Sequence, residues 1–433
     1  MEKYEEVESL GKGGYASIKL FRHKQSNDVF AAKFASYTNM AETNSEYHLL
    51  QFFSKIENSP TLELIESFDH ENFRVLVLRK YRFDFRGLQK TQIFDSIYIK
   101  QFVFVVNSLV KSVAQMHSFG VVHRDLKSAN VLLDDTGRSR IADLGLAKVE
   151  LGHVASFESL QSAYASLEEC VEPQKTRTVC TLLYRSPEQL FQTYKKNQQK
   201  RAIFVNYTSA KKQDLWSVGV IIIEIMLSHF FIILNEVDVQ SNEIKLKKIY
   251  IKMYGKQIIT MVQEVFKDEK DPLTFILAHF EPEDHQLIKY QLQQPAISIL
   301  DYIRTLILSR FQQQCFGTIQ KYLDEFATNL ANLLSPIPSQ RRSIQQCQIF
   351  KQDQQNIISA LPDQALDGLT QTNQKPPQYA ECLTKIGLKI EYQPCDCNVL
   401  TLNNASSILG GKMFKEIKNF DGWMSQTGAK KIK

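Results

Sequence analysis

His123-Arg124-Asp125-Leu126-Lys127-Ser128-Ala129-Asn130, followed by Asp143-Leu144-Gly145, packs a base, a cation and two hard oxygen ligands into a short stretch of chain. Asp125 is the candidate to accept a proton, and Lys127 the cation to face a phosphate. Asn130 and Asp143 are the oxygen pair that Mg²⁺ selects when it keeps part of its water shell and bridges phosphates. Phosphoryl transfer from ATP requires these parts: the transferred group passes through a loose transition state, so a protein accelerates the reaction by holding the reactants in line and spreading charge over cations. A charged turn after a buried helix accounts for His-Arg-Asp alone. It does not account for the amide and the second carboxylate that follow.

This stretch resembles the catalytic loop and metal-binding segment of the eukaryotic protein kinases, and the other motifs arrive in the order that superfamily shows them. Leu10-Gly11-Lys12-Gly13-Gly14-Tyr15-Ala16-Ser17-Ile18 is similar to the Gly-rich hairpin that covers ATP, with glycines where the backbone approaches phosphate oxygens closely. The resemblance assigns Leu10, Gly11, Lys12, Gly13, Gly14 and Ile18 to nucleotide binding. Ala16 stands for the third family glycine and adds only a methyl, which implies a less pliable lid and not a lost site. Phe30-Ala31-Ala32-Lys33 is similar to the strand carrying the phosphate-pairing lysine, so Lys33 becomes the α/β-phosphate ligand.

A lysine among apolar neighbours needs a carboxylate partner, and Glu42 and Glu46 lie at helical spacing nearby. Glu46 is the better choice. Leu50 lies four residues beyond it on the same helix face, where the family packs an apolar residue against the metal-binding segment. Val75-Leu76-Val77-Leu78 is a continuous apolar run consistent with a doubly buried strand, and Arg79-Lys80-Tyr81 breaks it. The resemblance makes that break the hinge, whose backbone would bond adenine between the apolar walls Ala31 and Leu132, with Leu78 restricting the deeper pocket.

Ile97 to Phe119 carries apolar residues at three-and-four spacing, which predicts a helix delivering the chain to Val121-Val122-His123. Leu144 stands where the family has Phe; the packing role needs an apolar plug, not an aromatic one. Thr181-Leu182-Leu183-Tyr184-Arg185-Ser186-Pro187-Glu188 resembles the substrate-binding end of an activation loop, and Glu188 is expected to pair with a buried arginine for which Arg341 is the candidate. Asp214-Leu215-Trp216-Ser217-Val218-Gly219 opens an apolar stretch through Leu227 that resembles the central large-lobe helix. A membrane span competes for that stretch, but Glu224 interrupts it and Ser228-His229 ends it short of the ~20 residues a bilayer needs.

Lys127 two residues after Asp125, together with Thr181, matches the serine/threonine-specific pattern, and the Thr178 to Arg185 run leans toward the cyclin-dependent and MAP-kinase branch. Ser128 and Ser45 depart from it, because the branch has proline at the first position and its cyclin-dependent members have arginine at the second. Arg185 in this loop implies a preference for proline just after the target hydroxyl. Thr176 and Thr178 sit where the branch places activating phosphates, which would pair with Arg124; two exposed loop threonines are the plainer reading.

The 433 residues suit one catalytic unit with additions. The implied fold class is α+β: a bilobal kinase-like fold with a small antiparallel β-rich N-lobe at 1–80, a larger mainly helical C-lobe at 81–350, and an ATP cleft between them. A helical insertion is expected at about 235–330, where it would alter substrate or partner docking. A polar Lys/Gln-rich extension lies between Gln189 and Ala210, and a Gln/Asn/Pro-rich, loosely ordered extension at 351–433 contains one strand-like alternation at Leu388 to Tyr392. A net charge of +5 from 52 basic and 47 acidic residues is too balanced to argue for nucleic acid. Seven dispersed cysteines suit a reducing compartment, cytoplasm or nucleus. Cys395-Asp396-Cys397 lacks the second pair a zinc site needs, and the acidic N-terminus has no signal-peptide core.

These readings converge on a protein serine/threonine kinase using ATP and Mg²⁺, with protein substrates, with a regulatory protein on the insertion or tail as a further candidate partner, and without membrane or nucleic-acid binding. Its rival is a pseudokinase that binds nucleotide or scaffolds partners. A small-molecule kinase would lack the Thr181 to Glu188 and Asp214 to Gly219 segments.

Overall fold

Alternation of apolar and polar faces along three consecutive strands builds the first half of the molecule. In the computed structural model, which describes residues 2–12, 16–37, 40–81, 83–86, 99–134, 138–149, 180–196, 199–202, 207–227, 239–311 and 318–344, the chain opens with β1 (Tyr4–Lys12), β2 (Ala16–His23) and β3 (Val29–Ser36). Helix α1 (Met40–Phe53), β4 (Leu64–His70) and β5 (Phe73–Arg79) follow, and the strands form one antiparallel sheet ordered β1-β2-β3-β5-β4. The described residues fall into two compact units, one drawn from Met1–Leu88 and Ser108–Gln174, the other from Gln89–Asn107 and Lys175–Ala429.

Register divides the sheet into two faces with different work. Lys33 lies opposite Ile18 on β2 and Leu76 on β5, and Ala31 opposite Leu20 and Leu78, so these six side chains share one face. The alternate residues, Phe21, Phe30, Ala32, Phe34, Val75 and Val77, form the other face, an aromatic-rich cluster closed by Tyr4. Tyr4 stacks on Phe68 with ring centroids 6.4 Å apart and donates its hydroxyl to Glu66, which joins the first strand to β4. One face thus carries the packing and leaves the other for Lys33.

The rest of this unit is a set of short strand pairs. β6 (Phe83–Asp84) pairs with β8 (Val131–Leu133), which pairs with β9 (Ser139–Ile141), while β7 (Val121–Val122) pairs with β10 (Lys148–Val149). Ile141 donates its N–H to Pro60 O at 2.8 Å, and Arg140 holds Asp134 at 2.7 Å while donating to Ser59 O. These bonds tie the segment after Asp125 to the chain entering β4. Helix α2 (Ile99–Ser118) matches the predicted helix within two residues at its start, and its Ser112 hydroxyl donates to Ser139 O at 2.8 Å.

The second unit is helical. α3 (Tyr207–Leu227), α4 (Val239–Tyr254), α5 (Lys256–Val265), α6 (Pro272–Leu277), α7 (His285–Gln293), α8 (Ile299–Phe311) and α9 (Thr318–Leu333) follow a single helical turn at Pro187–Leu190 and a two-stranded hairpin, β11 (Thr193–Lys196) with β12 (Gln199–Ala202). The stretch read as a candidate membrane span is the buried core of α3, and among the described residues no helix is long and apolar enough to cross a membrane. Glu224, within the apolar run of α3, is buried and accepts the Tyr184 hydroxyl at 3.0 and 3.1 Å. Gly219 is required by a close approach: a Cβ there would stand 2.9 Å from the Leu334 side chain. Tyr250 packs edge to face on Trp216 at 5.4 Å and on Tyr254 at 6.2 Å, and Trp216 meets Tyr254 in a tilted contact at 6.1 Å, within the range aromatic pairs prefer.

Within the expected region 235–330 the described residues form helices α4 to α8 and most of α9, joined by non-helical connections such as those around 266–271 and 294–298. The tail at 351–433 and its Leu388 to Tyr392 alternation lie outside the described residues, as do Thr176 and Thr178.

Candidate active site

Lys33 projects from the middle of β3, and its ammonium is held by two carboxylates at once: Glu46 Oε2 at 2.6 Å and Asp143 Oδ1 at 2.9 Å. Glu46 comes from the second turn of α1, whose interior face also buries Leu49, Leu50 and Phe53. This helix packs on the Leu144–Leu146 turn, where Leu144 is fully buried as an apolar plug in place of an aromatic one. Burial alone would lower the pKa of Lys33, but the charges of Glu46 and Asp143 outweigh it and hold the ammonium well above the ordinary lysine range. Burial raises the Glu46 carboxyl against the pull of Lys33. Burial also acts to raise Asp143, yet Lys33, with a smaller contribution from Lys127, holds it below the usual aspartate value. As pH falls, Glu46 therefore gives up its charge first, and Lys33 stays paired with Asp143.

The Asp125 loop is built around a histidine. His123 Nδ1 accepts the Asp125 N–H at 3.1 Å, which places the ring proton on Nε2, and Nε2 donates to Ala142 O at 2.8 Å. One buried imidazole thus joins the Asp125 backbone to the residue before Asp143. Asn130 closes the same loop from the other side, its Nδ2 donating to Asp125 O at 2.9 Å while its own carbonyl accepts the Ala142 N–H at 2.9 Å. Lys127 Nζ donates to Asp125 Oδ2 at 2.6 Å. Arg124 and Asp143 both sit at positive φ, 70° and 61°, a backbone region that costs non-glycine residues about 1–3 kcal/mol and that collects at functional sites.

The sequence-derived set is thereby located. Lys33, Glu46, Asp125, Lys127, Asn130 and Asp143 all lie in the first unit, linked by the bonds just described. Leu10, Ile18, Ala31 and Leu78 lie in the sheet, with Ala31, Leu78 and Ile18 on the Lys33 face, and Leu132 lies on β8 opposite Asp84. Gly11 and Lys12 end β1 in register with Ile18 and Ser17, while Gly13 and Gly14 lie outside the described residues. Arg124, the expected phosphate partner, is buried and donates to Leu146 O at 3.4 Å.

Oxygen donors here suit Mg²⁺. The amide Nδ2 of Asn130 is committed to Asp125 O, which leaves Oδ1 to act as a ligand beside the Asp143 carboxylate. A small set of oxygen donors is what Mg²⁺ takes when substrate phosphates and water complete its shell.

In the second unit, the segment from Cys180 to Glu188 is fixed by its own charges. Arg341 makes a bidentate pair with Glu188 at 2.7 and 2.8 Å, both side chains at most 1% exposed, and its guanidinium stacks 5.1 Å over Trp216. Ser186 donates its hydroxyl to Gln189 Oε1 at 3.1 Å.

Residues 4–350 match the protein kinase domain family. The chain belongs to that family. It has the bilobal α+β fold of a kinase, with a five-stranded antiparallel N-lobe sheet and a helical C-lobe. The chain is 28% identical over 231 residues to extracellular signal-regulated kinase 2 of Dictyostelium discoideum, covering 52% of this chain and 55% of that one. It is 32% identical over 236 residues to mitogen-activated protein kinase 15 of Caenorhabditis elegans, covering 52% and 44%, and 28% identical over 236 residues to cyclin-dependent kinase 7 of Xenopus laevis, covering 52% and 56%. These relatives agree with the lean toward the cyclin-dependent and MAP-kinase branch. The chain spans about half the length of the curated relatives it matches.

Sequence reading found the charged residues that carry motif signatures and missed those that hold them. It gave no role to His123, although a histidine two residues before a candidate base and after a buried Val-Val pair is a usable signal. It also missed Glu243 and Lys247, which no motif marks.

Proposed function

We propose that this chain is a protein serine/threonine kinase that transfers the γ-phosphate of ATP to protein hydroxyls with Mg²⁺. The observation that carries the reading is the placement of Lys33 Nζ between Glu46 and Asp143, in the same compact unit as the Asp125–Lys127–Asn130 loop. Asp125 accepts the proton of the target hydroxyl; its oxygen forms the new bond to the γ-phosphorus, and the bond to the β–γ bridging oxygen breaks to release ADP. Lys33 holds the α- and β-phosphates, Glu46 holds Lys33, and Lys127 faces the γ-phosphate while keeping the Asp125 carboxylate in place. Gly11 to Gly14 cover the phosphates, and Leu10, Ile18, Ala31, Leu78 and Leu132 enclose the adenine. Asn130 and Asp143 would hold Mg²⁺, which would supply positive charge to offset that of the phosphates.

The loop after Cys180 supports a preference for proline following the target hydroxyl. Cys180 has φ of 107°, and its carbonyl is taken by Arg185 Nε at 2.9 Å. A carbonyl so occupied is withheld from a substrate amide N–H, and a residue that keeps its N–H then loses a hydrogen bond on binding. Proline has no N–H to lose.

The same reading takes 1–80 as the N-lobe, 81–350 as the C-lobe with a helical insertion near 235–330, and 351–433 as an extension. Partners are protein substrates and a regulatory protein on the insertion or the extension. Seven dispersed cysteines favour cytoplasm or nucleus. A positional peptide library phosphorylated by the purified chain tests activity and preference together: serine and threonine targets with proline enriched next are expected, and phosphorylation without that enrichment would sink the substrate preference.

A further inference from the structure

A single stripe of α4 reaches the loop that carries Arg185. Glu243, Lys247 and Tyr250 lie four and three residues apart, so they share one face of the helix. Tyr250 donates its hydroxyl to Arg185 O at 3.1 Å, and Glu243 Oε2 accepts from Arg185 Nη1 at 3.1 Å. The second oxygen of Glu243 accepts from Lys247 Nζ at 2.8 Å. Lys247 is 4% exposed, lies 5.8 Å over the Phe191 ring and meets His279 Nδ1 at 3.3 Å. Burial holds this lysine below the ordinary range against the pull of Glu243. Glu243 is thus shared by two cations, and it meets the guanidinium on the opposite edge from Cys180. Arg185 has several rotatable bonds and donors in a fixed fork. With its Nη1 held on α4 and its backbone carbonyl held by Tyr250, its Nε is aimed at Cys180 O.

We propose that Glu243 is a positioning residue for substrate selection: by holding Arg185 it keeps the Cys180 carbonyl out of reach of the peptide and so sets the preference at the residue after the target hydroxyl. This inference rests on the proline preference proposed above. It gives α4 a defined part in choosing substrates, and it predicts that sequence changes at 243 re-tune that choice without touching the ATP site.

The test compares two peptides that differ only in proline or alanine after the target serine, each read as kcat/KM, for the wild-type chain, Glu243→Gln, Arg185→Ala and the double variant. The Glu243→Gln/Lys247→Met pair is measured alongside, because it removes the carboxylate together with the buried cation it neutralises and so protects against loss of folding. The expected result is a proline-to-alanine ratio that falls about tenfold in Glu243→Gln, as for loss of a charge-assisted hydrogen bond. It should fall as far in Arg185→Ala and no further in the double variant, with the KM for ATP unchanged. A purely structural role would lower turnover of both peptides equally and leave the ratio intact. A wild-type preference that survives in either folded Glu243 variant overturns this inference alone. No preference in the wild-type chain overturns the proline reading itself.

Discussion

Two ion pairs of this molecule look alike on paper and are built for opposite purposes. Arg341 and Glu188 meet fork to fork with both side chains sealed from water, and the guanidinium further donates to Ser335 O at 2.7 Å and Lys212 O at 3.1 Å. Lys33 is instead divided between Glu46, which is buried, and Asp143, whose side chain is 47% exposed. The first pair has nowhere to go. The second is half-open: the Asp143 carboxylate reaches solvent while Glu46 stays sealed against Lys33. A sealed pair serves folding, and a shared, half-open pair serves exchange of partners.

The comparison breaks first at Arg341. Removing one member of a buried pair leaves an uncompensated charge, so Arg341→Met should cost about 3–5 kcal/mol of stability, read as a drop in the urea midpoint. A cost near zero would make the sealed pair ornamental. Lys33→Met should do the reverse. Glu46, already raised by burial, can take a proton when its partner is lost, so the melting temperature should hardly move while kcat/KM for ATP falls on the order of 10²–10³-fold, as when one charge-stabilising donor is deleted. Equal effects on stability and activity from the two variants would erase the distinction.

A smaller effect sharpens the picture of the second unit. His279 is pulled down from 6.5 to about 3, by burial and then by the charge of Lys247. Below pH 6.5 the unfolded chain takes up this proton and the folded chain does not, so stability should fall with falling pH by about 1.4 kcal/mol per unit until about pH 3. Denaturant titrations at pH 6 and pH 5, compared with His279→Phe, should show that slope removed in the variant. The smallest change in activity is expected at the plug: Leu144→Phe adds bulk at a fully buried position and should cost about 1–3 kcal/mol of stability, with activity within a few-fold.

What could be read from the sequence follows from where chemistry and spacing coincide. Lys33, Asp125, Asn130 and Asp143 carry signatures because phosphate and metal chemistry restricts the residue types at those places. Glu46 was separable from Glu42 only through the position of Leu50, which is indeed buried on α1. The Arg341 to Glu188 pair was found 153 residues apart because both ends sit in recognisable segments. Other features leave no local trace. Cys180 has a positive φ that only its surroundings impose, since nothing in the residue type favours it. The hairpin Thr193–Ala202 is Lys/Gln-rich, without the alternation that marks a strand. Glu243 and Lys247 form an ordinary helical charge pair by spacing, and only the fold turns them toward Arg185. The second carboxylate on Lys33 was equally invisible, because the chain spacing names one partner and Asp143 arrives from 110 residues away.

The claim that most depends on measurement is that these side chains transfer phosphate. Purified chain should be given γ-labelled ATP, Mg²⁺ and a serine peptide with proline following the serine, beside Asp125→Asn of equal folded fraction. Label on the peptide from the wild-type chain, with loss of about 10²–10⁴-fold in the variant, is the predicted result. Equal incorporation by the two proteins, or none by the wild-type chain while it still binds nucleotide, would contradict it.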